Sequence, residues 1–136
     1  NPCSMCAKMR RGALNQAILD RGFNKLALGH HYDDAVETFY MNLFSCGRLG
    51  CFQPVTYLSR KDITMIRPIL YAEEKDTTRV CEKLNLPIIK SNCPADGNTN
   101  REEIKQLIAT LNRTYSGLSN KTIGAISRRN LDGWFE

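Results

Sequence analysis

Apolar residues along this chain recur at the three- and four-residue spacing of amphipathic helices in several segments. The clearest segment begins at two acids, Asp33 and Asp34, which suit the positive first turn of a helix. Its apolar positions fit one helix face: Val36, Phe39, Tyr40, Leu43 and Phe44. The same pattern, less regular, predicts further helices over 7–21, 73–84, around 104–111 and over 118–129, so about five in all. Gly22 and Asn85 stand where two of them are expected to end.

Short unbroken apolar runs lie between these helices, at 26–28, 63–66 and 86–89. Runs of this length are typical of buried strands in a parallel sheet. The last run contains Pro87, which donates no hydrogen bond, so we place it near a sheet edge. The polar residues 59–62, Ser-Arg-Lys-Asp, predict a turn before the second run. Helices that alternate with buried strands predict an α/β fold with a short parallel sheet.

Composition indicates one ordinary globular domain. The chain has 136 residues, of which 42% are hydrophobic and 24% charged, and this excludes disordered and fibrous classes. No apolar run approaches the roughly 20 residues of a membrane span, and no signal peptide is present, so we expect a soluble, cytoplasmic protein.

The net charge of +5 leaves an anionic partner open. One basic cluster contains Lys8, Arg10 and Arg11, and a second lies in the acid-free stretch 113–130. The second cluster consists of Arg113, Lys121, Arg128 and Arg129. Each cluster fits a solvated helix face as well as a nucleic-acid contact; two clusters in one small domain favour nucleic acid somewhat.

Six cysteines are many for this length. Cys3 and Cys6 have the C-x-x-C spacing that lets two thiolates bind one metal ion or cluster, and Cys93 precedes a proline and a glycine turn. A single C-x-x-C leaves metal binding, redox chemistry and plain structural cysteines open. A metal site needs further ligands.

The carboxyl end of the first predicted strand carries the densest chemistry, Gly29-His30-His31-Tyr32-Asp33-Asp34. In open α/β sheets, ligands bind at this end of the strands. We assign Gly29, His30 and His31 to nucleotide binding, because glycine permits close approach and imidazoles contact phosphate. Carboxylates hold Mg²⁺, and Asp33 and Glu37 share one helix face. The alternative is two loop histidines followed by helix-start acids.

Three blocks of the sequence resemble one family. They are Cys3-Ser-Met-Cys-Ala-Lys-Met-Arg-Arg-Gly12, Leu28-Gly-His-His-Tyr-Asp-Asp34 with Glu37-Thr38, and Ile66-Arg-Pro-Ile69 with Glu74-Lys-Asp76. Together they closely resemble the tRNA 2-thiocytidine synthetases, which are PP-loop ATPases with a Rossmann-like domain of the adenine nucleotide alpha hydrolase type. The resemblance runs in order from Cys3 to about Trp134.

The resemblance implies a mechanism and its cofactors. Such enzymes use ATP and Mg²⁺ to adenylate a cytidine carbonyl oxygen in tRNA, and a sulfur nucleophile then displaces AMP. It implies a four-iron four-sulfur cluster on Cys3, Cys6 and Cys93, catalytic roles for Asp33 and Asp34, and a sulfur donor protein or persulfide as partner. The basic clusters suit an RNA backbone.

The family's phosphate-binding loop, Ser-Gly-Gly-x-Asp-Ser, has no counterpart here. We therefore expect the C-terminal portion of a PP-loop enzyme: residues 1–97 as the end of the α/β catalytic core and 98–136 as a helical segment. Such a piece alone should not hydrolyse ATP, and its exposed sheet edge favours a homodimer or other self-association. The alternatives are a tRNA(Ile)-lysidine synthetase-like ligase, which has no use for cluster cysteines, and a non-catalytic module that binds RNA or metal.

Overall fold

The computed structural model describes residues 2–89, 93 and 99–128. The described part is α/β, with five helices and one three-stranded sheet, so the predicted fold class is confirmed. It divides into two compact units. The first takes its residues from 1–29 and 53–70, and the second from 30–52 and 71–136.

The first unit contains helix α1 (Pro2–Leu19) and all three strands, β1 (Lys25–Ala27), β2 (Val55–Leu58) and β3 (Ile63–Ile66). The strand order is β1-β3-β2. β1 runs parallel to β3, whereas β2 runs antiparallel to it. The sheet is therefore mixed, and the prediction of a purely parallel sheet is wrong. The reason is local: β2 and β3 are joined by a short turn, which forces an antiparallel pair.

The core of this unit lies on one face of the sheet. Leu26, Ile63 and Met65 are buried, and Ile18 from α1 packs against them. Along β3, buried positions alternate with half-buried ones, as expected for a strand with one face on a core. α1 ends before Gly22, whose φ of +72° is a left-handed conformation that glycine adopts without strain.

The β2–β3 connection is the predicted turn at 59–62. A single 3-10 turn spans Ser59–Lys61, and Asp62 follows with a φ of 52°. The Tyr57 hydroxyl donates to the Asp62 carboxylate at 2.9 Å across this turn. An aspartate tolerates this backbone conformation better than most residues, so the turn is specified by its sequence.

The predicted strand at 86–89 is wrong: these residues are described and lie outside the sheet. Leu86 donates its backbone N–H to the Cys81 carbonyl, so it still belongs to a helix end. Ile88 and Ile89 are 67% and 94% exposed. An apolar run becomes a strand only where it can pair with a neighbouring strand and pack on a core, and the described residues provide neither beside 86–89.

The second unit contains the remaining helices: α2 (Tyr32–Cys46), α3 (Glu74–Lys83), α4 (Asn100–Thr114) and α5 (Leu118–Arg128). All four match predicted helices within a few residues. Val36 and Tyr40 of α2 pack with Ile104 and Ile108 of α4 in a buried core, and residues from α5 cover it. Phe44, which continues the apolar face of α2, is 55% exposed beyond this core.

Side-chain hydrogen bonds attach α5 to α2 and α4. Thr122, buried on α5, bonds the Tyr40 hydroxyl at 3.0 Å, and the Tyr32 hydroxyl donates to Asn120 at 2.6 Å. Burial raises the pKa of Tyr32, and the charges of Glu73 and Asp33 add to this, so the phenol stays a donor. At the α4–α5 corner, the Asn112 amide bonds the Ser119 hydroxyl and accepts from its backbone N–H.

The predicted boundary between residues 97 and 98 lies outside the described residues, so that division of the chain stays a prediction. Among the helices that the structure describes, none is long and apolar enough to cross a membrane.

Ile63 tests the core of the first unit because it is fully buried. Ile63→Val is expected to lower the free energy of unfolding by about 1 kcal/mol, since it removes one buried methyl group and leaves a small cavity. Urea denaturation measures the change. The matched control is Ile69→Val, the same substitution at a 39% exposed side chain. An equal loss for both variants would contradict the assignment of Ile63 to the core.

Candidate functional site

The start of α2 brings the predicted His and Asp residues together. His31 is the N-cap, with extended backbone angles, and Asp34 three residues later accepts its backbone N–H at 3.0 Å. The His31 ring lies between two carboxylates, with Nε2 3.4 Å from Asp34 and Nδ1 3.7 Å from Asp33. This half of a capping box fixes where the helix begins and therefore where both acids point.

Asp33 also serves a second helix. Its carboxylate accepts the backbone N–H of Glu74, the first residue of α3, at 2.6 Å. The α3 N-cap, Glu73, makes no capping hydrogen bond with its own side chain, so Asp33 supplies the missing acceptor. The Tyr32 backbone N–H donates to Ala72 at 2.9 Å in the same region. Asp33 thus joins the first turns of α2 and α3.

Asp34 is held by an arginine from far along the chain. Arg101, in the first turn of α4, donates to Asp34 at 3.1 Å and to Glu37 at 2.7 Å through the same nitrogen. Its second terminal nitrogen lies 3.3 Å from the Thr38 hydroxyl. One guanidinium therefore neutralises two α2 carboxylates and also fixes α4 against α2.

Glu37 is the most buried acid of the network, with 8% of its side chain exposed. Burial raises its pKa and the nearby Asp34 charge adds to this, while Arg101 and Lys105 act in the opposite direction. Lys105, one turn after Arg101, pairs with Glu74 at 2.6 Å, and that bond raises the pKa of Lys105. Ion pairs from α4 thus connect it to α2 through Glu37 and to α3 through Glu74.

This geometry changes the expected carboxylate pair. The sequence placed Asp33 and Glu37 on one helix face as a Mg²⁺ pair; in the structure Glu37 is instead paired with Arg101. A cation between Asp34 and Glu37 would compete with the guanidinium already there. Asp33 keeps the more exposed side chain, 36% against 23% for Asp34. Of the two predicted catalytic acids, Asp33 is the one better placed to meet a ligand.

The preceding loop contains the other assigned residues. His30 packs its ring against Phe52, with centroids 4.8 Å apart. At Gly29, an added Cβ would meet no described atom within 4 Å, so the described protein leaves open space there. His31 Nδ1 is buried without a hydrogen-bond partner among the described residues. The nucleotide-binding assignments of these three residues stay predictions.

The cysteines are placed only in part. Positions 3 and 6 lie one helical turn apart in α1, and the Cys6 thiol is exposed and free. Cys93 is also exposed. The side chain of Cys3 lies outside the description, and among described residues no group of three or more His, Cys, Asp or Glu side chains is arranged to hold a metal ion. The three-cysteine site stays a prediction.

Arg101 is the important residue that sequence reasoning missed. It is 64 residues from Glu37 and 67 from Asp34, so no local spacing links them. The only available signal was a basic residue in the first turn of a helix, where the helix dipole disfavours it. Such a misplaced cation suggests a carboxylate partner elsewhere.

The sequence matches a known protein family over a segment that includes the start of α2 and Arg101. A family profile described as a PP-loop domain matches residues 4–112, most of the chain. The chain belongs to the PP-loop family.

Named relatives are similar to this PP-loop chain over nearly its whole length. A tRNA-cytidine(32) 2-sulfurtransferase from Syntrophotalea carbinolica is 39% identical over 126 residues, which are 91% of the chain and 49% of that protein. The protein of the same name from Marinobacter nauticus is 38% identical over 116 residues, 85% of the chain and 38% of that protein. The PP-loop chain thus spans about half the length of these curated relatives, or less.

A solved structure shares the fold of the PP-loop chain. The U34-tRNA thiolase NcsA from Methanococcus maripaludis, solved with its four-iron four-sulfur cluster, matches with a TM-score of 0.75 and 25% sequence identity. The match covers 100% of this chain and 47% of that one.

Arg101→Met tests the ion pair through its pH dependence. The raised pKa of Glu37 means that the folded state holds this proton more tightly than the unfolded chain, so the free energy of unfolding falls as pH rises above the ordinary 4.5. Without Arg101 the pKa rises further. We expect the variant to lose about 2 kcal/mol near pH 8 and less near pH 5, measured by urea denaturation.

The control is the double variant Arg101→Met/Glu37→Gln, in which the buried acid is gone and the additional pH dependence should disappear. A stability loss for Arg101→Met that is the same at both pH values would show that Glu37 is not the group involved.

Proposed function

We propose that this chain is part of an ATP-dependent enzyme that replaces the carbonyl oxygen of a cytidine in tRNA with sulfur. The observation that carries the proposal is the 39% identity, over 91% of the chain, to a tRNA-cytidine(32) 2-sulfurtransferase. The likeness to a U34-tRNA thiolase supports the same class of reaction, sulfur transfer to a tRNA base.

The proposed reaction has two bond-exchange steps. The base carbonyl oxygen attacks the α-phosphorus of ATP, and pyrophosphate leaves. A sulfur nucleophile then forms the carbon–sulfur bond, and AMP departs with the former carbonyl oxygen. Both steps place negative charge near the nucleotide, so the site needs cations and hydrogen-bond donors.

The start of α2 supplies groups suited to this nucleotide. The exposed part of the Asp33 carboxylate is an oxygen ligand of the kind Mg²⁺ takes beside nucleotide phosphates. The His31 side chain lies beside Asp33 and is 20% exposed, and an imidazole N–H is a suitable donor to a phosphate oxygen. In this proposal Asp34 has a positioning role: it fixes His31 through the backbone and is itself held by Arg101.

The donor set of the cysteines fits an iron–sulfur cluster. Thiolates are the usual ligands of such clusters, and Cys6 offers an exposed thiol one turn after position 3. We propose Cys3, Cys6 and Cys93 as the three ligands. A cluster with three protein ligands supplies an iron with an open position, which can carry sulfur.

The sulfur donor, the cellular compartment and self-association complete the proposal. The sulfur comes from a donor protein or a persulfide, and the reaction takes place in the cytoplasm. β1 lies at one end of the strand order, so among described strands its outer edge is available to a strand from a second copy of the chain.

Asp33→Asn separates catalysis from capping. The amide oxygen can still accept the Glu74 N–H, so the full-length protein that contains this chain should fold normally, while the loss of charge weakens Mg²⁺ binding. We expect at least a hundredfold drop in thiolated cytidine, measured by mass spectrometry of digested tRNA. Unchanged product would return Asp33 to a purely structural role at the start of α3.

The cluster proposal is tested by cysteine substitution. After anaerobic reconstitution of the full-length protein, Cys6→Ser and Cys93→Ser should each lose most of the bound iron and the broad visible absorbance. Cys46→Ser is the matched control, because Cys46, like Cys6, is exposed and free but takes no part in the proposed site. Full iron content in Cys93→Ser would remove that residue from the ligand set.

A further inference from the structure

α5 presents an exposed face that carries positive charge and no acid. Lys121 and Arg128 are seven residues apart, two helical turns, so they lie on the same side of the helix. Between them on this face is Ala125, which is exposed and small. The opposite side, with buried Thr122, packs on the core. A partner approaching this face therefore meets two cations and little steric obstruction.

The cations of this face differ from four of the other cations in the second unit, whereas Arg48 and Lys83 likewise form no ion pair with a described residue. Lys75, Arg79, Arg101 and Lys105 each pair with a carboxylate. Within the described part of the chain, Lys121, Arg128 and the nearby Arg113 form no ion pair, and 113–128 contains no acid that could provide one. Their charge is left for an external anion.

Gly124 shapes this positive face. The Arg128 guanidinium lies back over it, since a Cβ at Gly124 would come within 3.2 Å of a terminal nitrogen of Arg128. Gly124 is three residues after Lys121, so the guanidinium is drawn one turn towards the lysine. The Lys121 amine in turn donates to the Ser116 carbonyl at 3.0 Å. Each charge is thereby displaced towards the N-terminal end of α5, the Lys121 amine to Ser116 and the Arg128 guanidinium to Gly124.

The first turn of α5, which leads into Lys121, is adjacent to the start of α2. Asn120, next to Lys121, accepts from the hydroxyl of Tyr32, and Tyr32 directly follows His31. The α4–α5 corner is braced by the two Asn112–Ser119 hydrogen bonds, and Arg113 and the exposed Tyr115 belong to it. The positive face is thus held beside the residues assigned to nucleotide chemistry.

From this arrangement we infer that Lys121, Arg128 and Arg113 form an RNA-binding surface that holds the phosphate backbone of the tRNA beside the start of α2. The inference rests on the proposed function and adds the surface that receives the substrate. Exposed cations on one helix face suit a chain of phosphates, because each contact releases condensed counterions. Tyr115 offers a ring on which an unpaired base can stack.

The test is tRNA binding by the full-length protein, measured by fluorescence anisotropy over a series of KCl concentrations. The double variant Lys121→Gln/Arg128→Gln should bind tRNA about tenfold more weakly, and the slope of log affinity against log salt should become shallower by roughly two. The charge-preserving pair Lys121→Arg/Arg128→Lys should keep most of the affinity. Lys83→Gln/Arg60→Gln, which removes one lysine and one arginine from exposed positions elsewhere, is the matched control and should bind normally.

The proposed surface is overturned by unchanged affinity and slope in the Lys121→Gln/Arg128→Gln variant, or by an equal loss in the charge-preserving pair. A wild type that binds anionic-lipid vesicles but no tRNA would overturn it as well. Sulfur incorporation into tRNA by the wild type is measured separately. If the wild type binds tRNA in the charge-dependent way described and transfers no sulfur, the proposed function fails while the RNA-binding surface stands.

Discussion

The Arg101 guanidinium lies against two carboxylates of α2, and the packing of the second unit depends on that contact. Asp34 and Glu37 sit one turn apart on the same helix, where two negative charges repel each other, and Glu37 is almost fully buried. A buried acid without a cation would be costly to ionise. With Arg101 in place, α2 can bury its acidic side against α4 and still pack Val36 and Tyr40 into the core.

The same contact controls the start of α2. Asp34 accepts the His31 backbone N–H with one oxygen and the Arg101 guanidinium with the other, so the helix start and the α4 arginine are linked through one carboxylate. Asp33 extends the link to α3, and Lys105 closes it by pairing with Glu74. Three helix starts or first turns are therefore held by one connected set of charges. A ligand that shifts the first turn of one of these helices therefore changes the charge contacts of the other two.

The apolar pattern of the sequence predicted some helices and strands correctly and others wrongly, for different reasons. α2 was predictable because its apolar face and first-turn acids agree, and β3 because 63–66 is a short, largely apolar run. Residues 86–89 were misassigned, since an apolar run carries no information on whether a neighbouring strand exists. No separate strand was assigned at Val55–Leu58, so its antiparallel pairing across the 59–62 turn, and with it the mixed character of the sheet, was missed.

The site divides in the same way. His31, Asp33 and Asp34 lie within four residues, so the sequence alone predicts that they are close together. The structure adds that Asp33 contacts α3 and that Asp34 contacts α4. Arg101 could not be paired with Glu37 from spacing, because the contact depends on how α4 packs on α2. The resemblance to a family supplied the cysteine assignments, which local geometry in the described residues leaves untested.

The attachment of α5 has a consequence for how the second unit opens. Its polar links to α2 are two tyrosine hydroxyls, one to Thr122 and one to Asn120, and its apolar links are few. Local unfolding follows such boundaries, where hydrogen bonds are exposed and little apolar area is buried. When α5 detaches, Tyr40 loses its hydroxyl partner inside the core and Tyr32 loses its partner beside His31 at the same moment. The two tyrosine hydroxyls therefore couple any opening of α5 to the core and to the start of α2.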